Sequence, residues 1–213
     1  VHSAKSTEGG TWRLMTPRGP LSAGALVIAA GPWASRVARE LAGVPDLRVR
    51  PRKVQVLLLQ RPLPAGPDHA TIVDVAGDFY SRALPGGVSH VGFLSPFDQT
   101  DLADADDFDE SVRADLARLL ARRFAARHLS GGRAHVFGHR PAMYEVTPDE
   151  NFILGPGPAP GLWFATGGSG HGFKFGPLIG REIANQILGQ PAPFASDPAF
   201  RWDRDFRGPR AFV

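Results

Sequence analysis

Cysteine is absent from the 213 residues. This removes disulfides, thiolate zinc sites, thiol catalysis and cysteine-linked cofactors from consideration. The absence fits a reducing compartment, and the cytoplasm is the expected location. Lysine is scarce as well: among 24 basic side chains only Lys5, Lys53 and Lys174 are lysines. No apolar run reaches the ~18–20 residues that cross a bilayer, and the polar opening Val-His-Ser-Ala-Lys-Ser carries no signal-peptide core. No membrane span is therefore expected. Excess charge is also lacking, with 24 basic against 21 acidic residues. The densest basic cluster, Arg48, Arg50, Arg52 and Lys53, lacks the interleaved aromatics of a single-strand binding groove. It reads as a solvated strand edge, and no nucleic-acid partner is expected.

What is present suits an ordinary soluble domain: 43% hydrophobic and 21% charged residues. The 25 glycines and 20 prolines predict many short turns. The length allows one large or two small domains, and no internal repeat is visible. Residues 11–15 read as a strand and Pro17-Arg18-Gly19-Pro20 as a turn. The apolar run 25–30 has strand length and is apolar on both faces, which predicts a strand inside a sheet covered on both sides. Gly31-Pro32 then opens a helix with Trp33, Val37 and Leu41 on its apolar stripe and Gly43 as its stop. Residues 53–60 form another apolar run, and the runs at 70–75, 78–84 and 88–94 that follow suggest an antiparallel meander. A long helix is predicted over 109–128, with Val112, Leu116, Leu119, Leu120 and Phe124 as its stripe. Asp107, Asp109 and Glu110 would sit at its start, and Arg122, Arg123, Arg127 and His128 at its end, each set matching the helix dipole. Ser130-Gly131-Gly132 would be the exit loop. Strands near 133–138, 142–147, 152–154 and 162–166 follow. A last helix runs to about Leu188, with Ile179, Ile183 and Ile187 on its buried face.

The order predicts an α/β fold with an α+β insert. Its parts are 1–45 (strand, turn, helix), 46–146 (antiparallel sheet with one long helix), 147–190 (strand, glycine-rich turn, helix) and a tail, 191–213.

Four patterns could carry chemistry. In 162–188 a strand, a glycine-rich turn and a helix follow one another. Such a turn lets backbone approach a ligand, and the helix start offers free N–H groups to an anion; Lys174 adds a full positive charge. The local pattern alone leaves a ligand site and a packing turn equally open. A serine-nucleophile elbow is excluded, because the second glycine of G-x-S-x-G falls on His171 and no later histidine exists to serve as base. His135 and His139 have no evident third metal ligand. The acidic stretch Asp101–Glu110 lacks the central glycine of a calcium loop. No metal site is expected.

Taken together, three segments resemble the FAD-dependent oxidoreductases that include D-amino-acid oxidase, glycine oxidase and monomeric sarcosine oxidase. They are ALVIAAGPW (Ala25–Trp33), Ala142-Met143-Tyr144 with Thr147-Pro148-Asp149-Glu150-Asn151-Phe152, and TGGSGHGFKF (Thr166–Phe175). The resemblance extends to about residue 190. It implies a Rossmann-like FAD domain remainder plus an antiparallel-sheet substrate domain. It also implies oxidation of the C–N bond of a small amine or amino acid (sarcosine, glycine or a D-amino acid) by hydride transfer to flavin.

The implied cofactor-binding residues are Ala30, Gly31, Trp33, Ala142, Met143, Gly167, Gly168, Ser169, Gly170, His171, Gly172, Phe173 and Lys174. His171 would sit near the reacting centre, and Lys174 would hold a substrate carboxylate. Tyr144 would line the substrate pocket, joined by Tyr80, Arg82 and His90, although a structural role for Tyr80 and Arg82 is equally open. The chain departs from the family in three ways. The strand–GxGxxG–helix that grips the ADP half of FAD has no counterpart, so the chain reads as the C-terminal half of such an enzyme, with the other half on the same or a separate polypeptide. The position of the flavin-linking cysteine falls on Ala142, so FAD should be non-covalent. The oxygen-activating lysine of the sarcosine-oxidase subgroup falls on His90, which could carry charge near neutral pH but leaves oxidase and dehydrogenase both open. The competing reading is a non-catalytic remnant that keeps the fold without binding FAD alone.

Overall fold

The computed structural model describes residues 1–7, 9–60, 70–128 and 134–207. In chain order its elements are β1 (Ser3–Ser6), β2 (Trp12–Thr16), β3 (Gly19–Ala23), β4 (Leu26–Ile28), α1 (Ala34–Ala42), β5 (Arg50–Val54), β6 (Val56–Gln60), β7 (Ile72–Asp74), β8 (Phe79–Leu84), β9 (Val88–Phe93), β10 (Thr100–Asp101), α2 (Ala114–His128), β11 (His135–His139), β12 (Ala142–Val146), β13 (Ile153–Pro156), β14 (Leu162–Thr166) and α3 (Gly176–Ile187). Two units result: Val1–Arg52 with Ala103–Ala105 and Tyr144–Val213, and Lys53–Leu102 with Asp106–Met143.

In the first unit β14 lies between β13 and β4, antiparallel to β13 and parallel to β4. The parallel pair is the expected α/β feature. Strand β4 is shorter than the apolar run and stands at the edge of this sheet, with Val27 39% exposed. The sheet is covered on both faces, by α1 on one and α3 on the other, but the expectation that the apolar run itself lies inside it is corrected, because β4 is an edge strand. Helix α1 packs on the Ile28 side only, and Val27, next along the alternation, falls outside that core. Pro32 lies in a 3-10 turn, Gly31–Trp33, and Gly43 ends α1 at φ 67°. The fully buried side of α1 is Ala34 and Ala38 rather than Trp33, Val37 and Leu41, which are half-buried. Small side chains at the contact let the helix sit close to Ile28, Leu162 and Phe164. Fully burying a Leu or Phe of this kind contributes about 1.5–3 kcal/mol.

Strands β1, β2 and β3 form a three-stranded antiparallel sheet, of which only β2 is expected from the sequence. Pro20 lies inside β3, opposite Met15, so the turn is narrower than predicted. An edge strand tolerates proline because its outward side needs no N–H donor. Helix α3 buries Ile183 and half-buries Ile179, whereas Ile187 is at its exposed margin. The buried carboxylate of Glu182 accepts the N–H groups of Phe194 (2.9 Å) and Ala195 (3.4 Å), which docks the tail.

In the second unit five strands run antiparallel in the order β11-β6-β9-β8-β7. This is the expected meander with two strands added. Leu57, Leu59, Phe79, Val91 and Phe93 pack against Leu116, Leu120 and Phe124 of α2. Strand alternation consequently directs Tyr80, Arg82 and His90 to the opposite face. Helix α2 begins five residues later than predicted. Gln55 Oε1 accepts the Arg113 N–H at 2.6 Å, and Asp109 is held by Lys53 Nζ at 2.6 Å. The acid in the first turn is thus Asp115, not the 107–110 set. Arg123 and Arg127, toward the other end, pair with Asp78 (2.9 Å) and Asp74 (2.7 Å). The predicted exit loop 130–132 lies outside the described residues.

Candidate active site

Parallel strands deliver the residues that follow them to the same edge of a sheet, and ligands of α/β folds bind outside that edge. Strands β4 and β14 pair in register from Leu26↔Leu162 to Ile28↔Phe164. The turn after β4 (Ala30, Gly31, Trp33) and the turn after β14 (Gly167–Gly172) therefore leave from the same end. Two turns 134 positions apart in the sequence, counted from Trp33 to Gly167, thus leave the same edge of one sheet.

The second turn has a specific internal geometry. Gly167, Ser169 and Gly170 all have positive φ (77°, 45° and 84°). Ser169 is the costly member, because a left-handed non-glycine residue costs roughly 1–2 kcal/mol. It is held by Ser169 N–H to the Glu145 carbonyl (3.0 Å) and Ser169 Oγ–H to the Gly167 carbonyl (3.2 Å). The Glu145 carboxylate accepts Gly168 N–H (3.1 Å) and Thr166 Oγ–H (2.5 Å). At Gly170 a Cβ would fall 2.5 Å from the Tyr144 ring, so Tyr144 lies directly against the turn. The N–H groups of Gly170, Gly172 and Phe173 have no acceptor among the described residues. They form a short row of donors leading into the 3-10 turn Phe173–Phe175 and then α3. Lys174 is exposed in that turn, its Nζ 5.4 Å from the Phe175 ring centre. Free amides, a helix start and one ammonium make an anion-accepting surface.

His171 is fixed rather than free to swing. Its Nε2 lies 3.0 Å from the Glu150 carbonyl, an acceptor, so that nitrogen carries the proton; its ring packs edge-on to Phe152 at 5.1 Å. The Glu150 carbonyl belongs to the turn Thr147–Asn151. Thr147 Oγ–H bonds the Asn151 carbonyl (2.7 Å), and Asp149 accepts two bonds from Arg204 at 2.8 Å each.

Trp33 lines a separate hollow of about 320 Å³ with Arg36, Arg39 and Arg50. A larger cavity of about 750 Å³ lies at the far end of β14, between Trp163, Gln186 and Trp202, and contains none of the candidate residues. Ala142 and Met143 share β12 with Tyr144.

Tyr80, Arg82 and His90 are gathered on the second unit. Arg82 is the cross-strand partner of His90, and the Tyr80 and His90 rings are 6.0 Å apart. Gly92 faces Tyr80; a Cβ there would fall 2.5 Å from the Tyr80 hydroxyl, so the phenol lies across the glycine. Burial first, then the charges of Arg82 and Arg140, hold His90 below its ordinary value, which disfavours the charge that the sequence left open there. His135 and His139 are both exposed on β11, which is irregular between Val136 and Gly138. Among the described residues no group of three or more acidic or histidine side chains could hold a metal. The basic cluster is partly neutralised, by Asp46 on Arg50 (3.0 Å) and Asp109 on Lys53. No described helix is long and apolar enough to cross a membrane.

Sequence alone does not mark Glu145 or Arg204, and Thr166 and Asp149 stand in recognised segments without a role of their own. Thr166 opens one recognised segment and Glu145 adjoins another, but their pairing is a contact across 21 residues that no local pattern encodes.

This fold, with its glycine turn at the carboxyl end of a parallel pair, is that of a flavoenzyme. The model of the FAD dependent oxidoreductase (DAO) family matches residues 1–186, and the chain belongs to that family. Among curated relatives, FAD-dependent oxidoreductase domain-containing protein 1 of Bos taurus is 31% identical over 186 residues, 79% of this chain and 36% of the relative. Peroxisomal sarcosine oxidase of Mus musculus is 28% identical over 190 residues, 85% of this chain and 48% of the relative. Among solved structures, glycine oxidase from Geobacillus kaustophilus superposes with a TM-score of 0.78 at 26% identity, covering 96% of this chain and 52% of that one. The chain thus spans about half or less of the length of these relatives. FAD is the cofactor of the family.

Proposed function

We propose that the chain forms the flavin-ring and substrate side of an FAD-dependent oxidoreductase acting on the C–N bond of a small amine or amino acid. The observation that carries this reading is the row of free amides at Gly170, Gly172 and Phe173 beside Lys174, at the carboxyl end of β4 and β14. Its lack of side chains at the close approaches and its donor character fit the electron-rich edge of an isoalloxazine. When bound, FAD supplies the acceptor for the hydride leaving the carbon next to nitrogen.

The rest falls to the protein. The amides and the positive start of the 3-10 turn and α3 would hold negative charge where it accumulates. Lys174 and Tyr144 would orient the substrate, with Lys174 on its carboxylate. His171, its proton fixed on Nε2, would keep the turn against Phe152 rather than accept a proton at that atom. Tyr80, Arg82 and His90 are proposed as further substrate-binding groups. Burial and the charges of Arg82 and Arg140 disfavour a cation at His90, which makes it a poor group for oxygen activation and favours a dehydrogenase passing electrons to another acceptor. Ala142 offers no sulfur, so the flavin would be held non-covalently. The grip on the ADP half would come from a segment outside these 213 residues, on the same polypeptide or a separate one. The absence of cysteine supports a reducing compartment such as the cytoplasm.

The test is a visible spectrum of the purified chain after incubation with FAD and desalting. Flavin bands near ~450 nm, released by acid, support a non-covalent flavin site. A folded chain that retains no flavin, alone and with the ADP-binding segment of a relative added, overturns the proposal and leaves the non-catalytic reading.

A further inference from the structure

The turn after β14 spends two consecutive amides, Gly168 and Ser169, on a single residue of β12. Gly168 N–H goes to the Glu145 side chain at 3.1 Å and Ser169 N–H to its carbonyl at 3.0 Å. The second carboxylate oxygen is bound by Thr166 Oγ–H, on the last residue of β14. One side chain therefore bridges the strand end and the start of the turn. The fit is tight, since a Cβ on Gly168 would fall 2.9 Å from Glu145 Oε1. Immediately afterwards the backbone adopts φ 45° at Ser169 and 84° at Gly170. Strained backbone of this kind persists only where its surroundings over-determine it. The donors left over, at Gly170, Gly172 and Phe173, are the ones that can meet a ligand.

We propose that Glu145 is a positioning residue for the anion-accepting turn. By taking Gly168 N–H and Thr166 O–H together it fixes the left-handed conformation of Ser169 and Gly170, and so decides which amides of the turn remain available. A carboxylate is required because two donors approach from different sides, and each oxygen takes one. An amide offers only one acceptor oxygen. Glu145 itself would touch neither substrate nor reacting atoms. The inference toward flavin rests on the proposed function, whereas the inference about the turn does not.

Hydrogen exchange read by mass spectrometry on the 213-residue chain separates the two. Glu145→Ala should raise exchange at least tenfold in peptides covering 166–172, while peptides of α2 and β6–β9 keep their wild-type rates. Glu145→Gln should show a smaller rise in the same peptides, and Glu145→Asp, which keeps both oxygens, should restore part of the protection. Thr166→Val removes one donor only, and should loosen the same peptides in a chain whose Glu145 is intact. Unchanged exchange at 166–172 in Glu145→Ala, or a rise spread evenly over the first unit, overturns the proposal; if Glu145→Ala does not fold, unchanged exchange in Thr166→Val does so. With FAD titrated by fluorescence quenching, Glu145→Ala should bind at least tenfold more weakly than wild type. Equal binding overturns the link to the flavin site. Failure of the wild-type chain to bind FAD strikes the proposed function, and the exchange result still decides the role of Glu145.

Discussion

Arg204 and Asp149 meet in a two-point ion pair, Nε to Oδ2 and Nη2 to Oδ1 at 2.8 Å each, with side chains only 7% and 2% exposed. The same guanidinium reaches the Asn151 carbonyl at 3.0 Å and lies over the Phe206 ring at 4.2 Å. Burial alone would raise Asp149, but the Arg204 fork and the Asn151 N–H outweigh it and keep the carboxyl below its ordinary value. The tail thereby fastens the turn whose Glu150 carbonyl holds His171.

Removing one partner of a buried pair strands the other charge, so Arg204→Ala should cost about 3–5 kcal/mol. Arg204→Lys should recover only a fraction, because an ammonium cannot form the fork. Urea denaturation at pH 7 measures both. The pair's contribution is present above the ordinary carboxylate range and is lost as pH falls through the lowered value of Asp149, so wild type and Arg204→Ala should converge in stability in acid.

Asp98 behaves in the opposite sense. Burial pushes it up to about 6, against the Gln55 N–H it accepts at 3.1 Å. The folded chain holds this proton more tightly than the unfolded one. Stability is therefore lost as pH rises from about 4 through about 6, and the loss persists above that. Asp98→Asn keeps an acceptor for Gln55 and should be more stable than wild type at pH 8, by an amount of the order of 2 kcal/mol, with little difference at pH 4. Thermal melts across that range give the comparison.

How much of this could be read in advance is uneven, for identifiable reasons. Phe79–Leu84 and Val88–Phe93 are β-type runs parted by the conspicuous Pro85-Gly86-Gly87 turn, and this part of the second unit's sheet was legible. So was β14 followed by its glycine turn, because glycines that must take positive φ are conspicuous. The start of α2 was misplaced because Gln55, 58 residues away, captures the Arg113 N–H, and Lys53 captures Asp109. β1 and β3 were missed because they carry few apolar residues and one contains a proline. Charge pattern could not show that Glu182 and Asp149 are buried. Both carboxylates are satisfied by a tail that has no periodicity of its own.

Gly92 tests the other unit. Gly92→Ala places a methyl where the Tyr80 phenol lies and should displace that ring. On the proposed function, KM for the amine should rise about tenfold, roughly 1.4 kcal/mol of lost binding, with FAD retention unchanged. Steady-state kinetics with an artificial acceptor checks the first, and the visible spectrum the second.

Lys174→Met removes the charge from the turn but keeps a long side chain. KM should rise at least tenfold for amines bearing a carboxylate and stay the same for matched amines without one. Equal effects on the two substrate classes would remove Lys174 from carboxylate recognition.

The scarcity of lysine makes the chain its own chemical probe. Lys53 is screened by Asp109 and Ser111, with 11% of its side chain accessible, while Lys5 on β1 and Lys174 at the glycine turn are open. An amine-acylating reagent applied briefly will therefore mark two side chains, one of them distant in sequence from any candidate residue. The ratio of acylation at Lys174 to that at Lys5 then reports occupancy of the turn from within a single sample, with no engineered label.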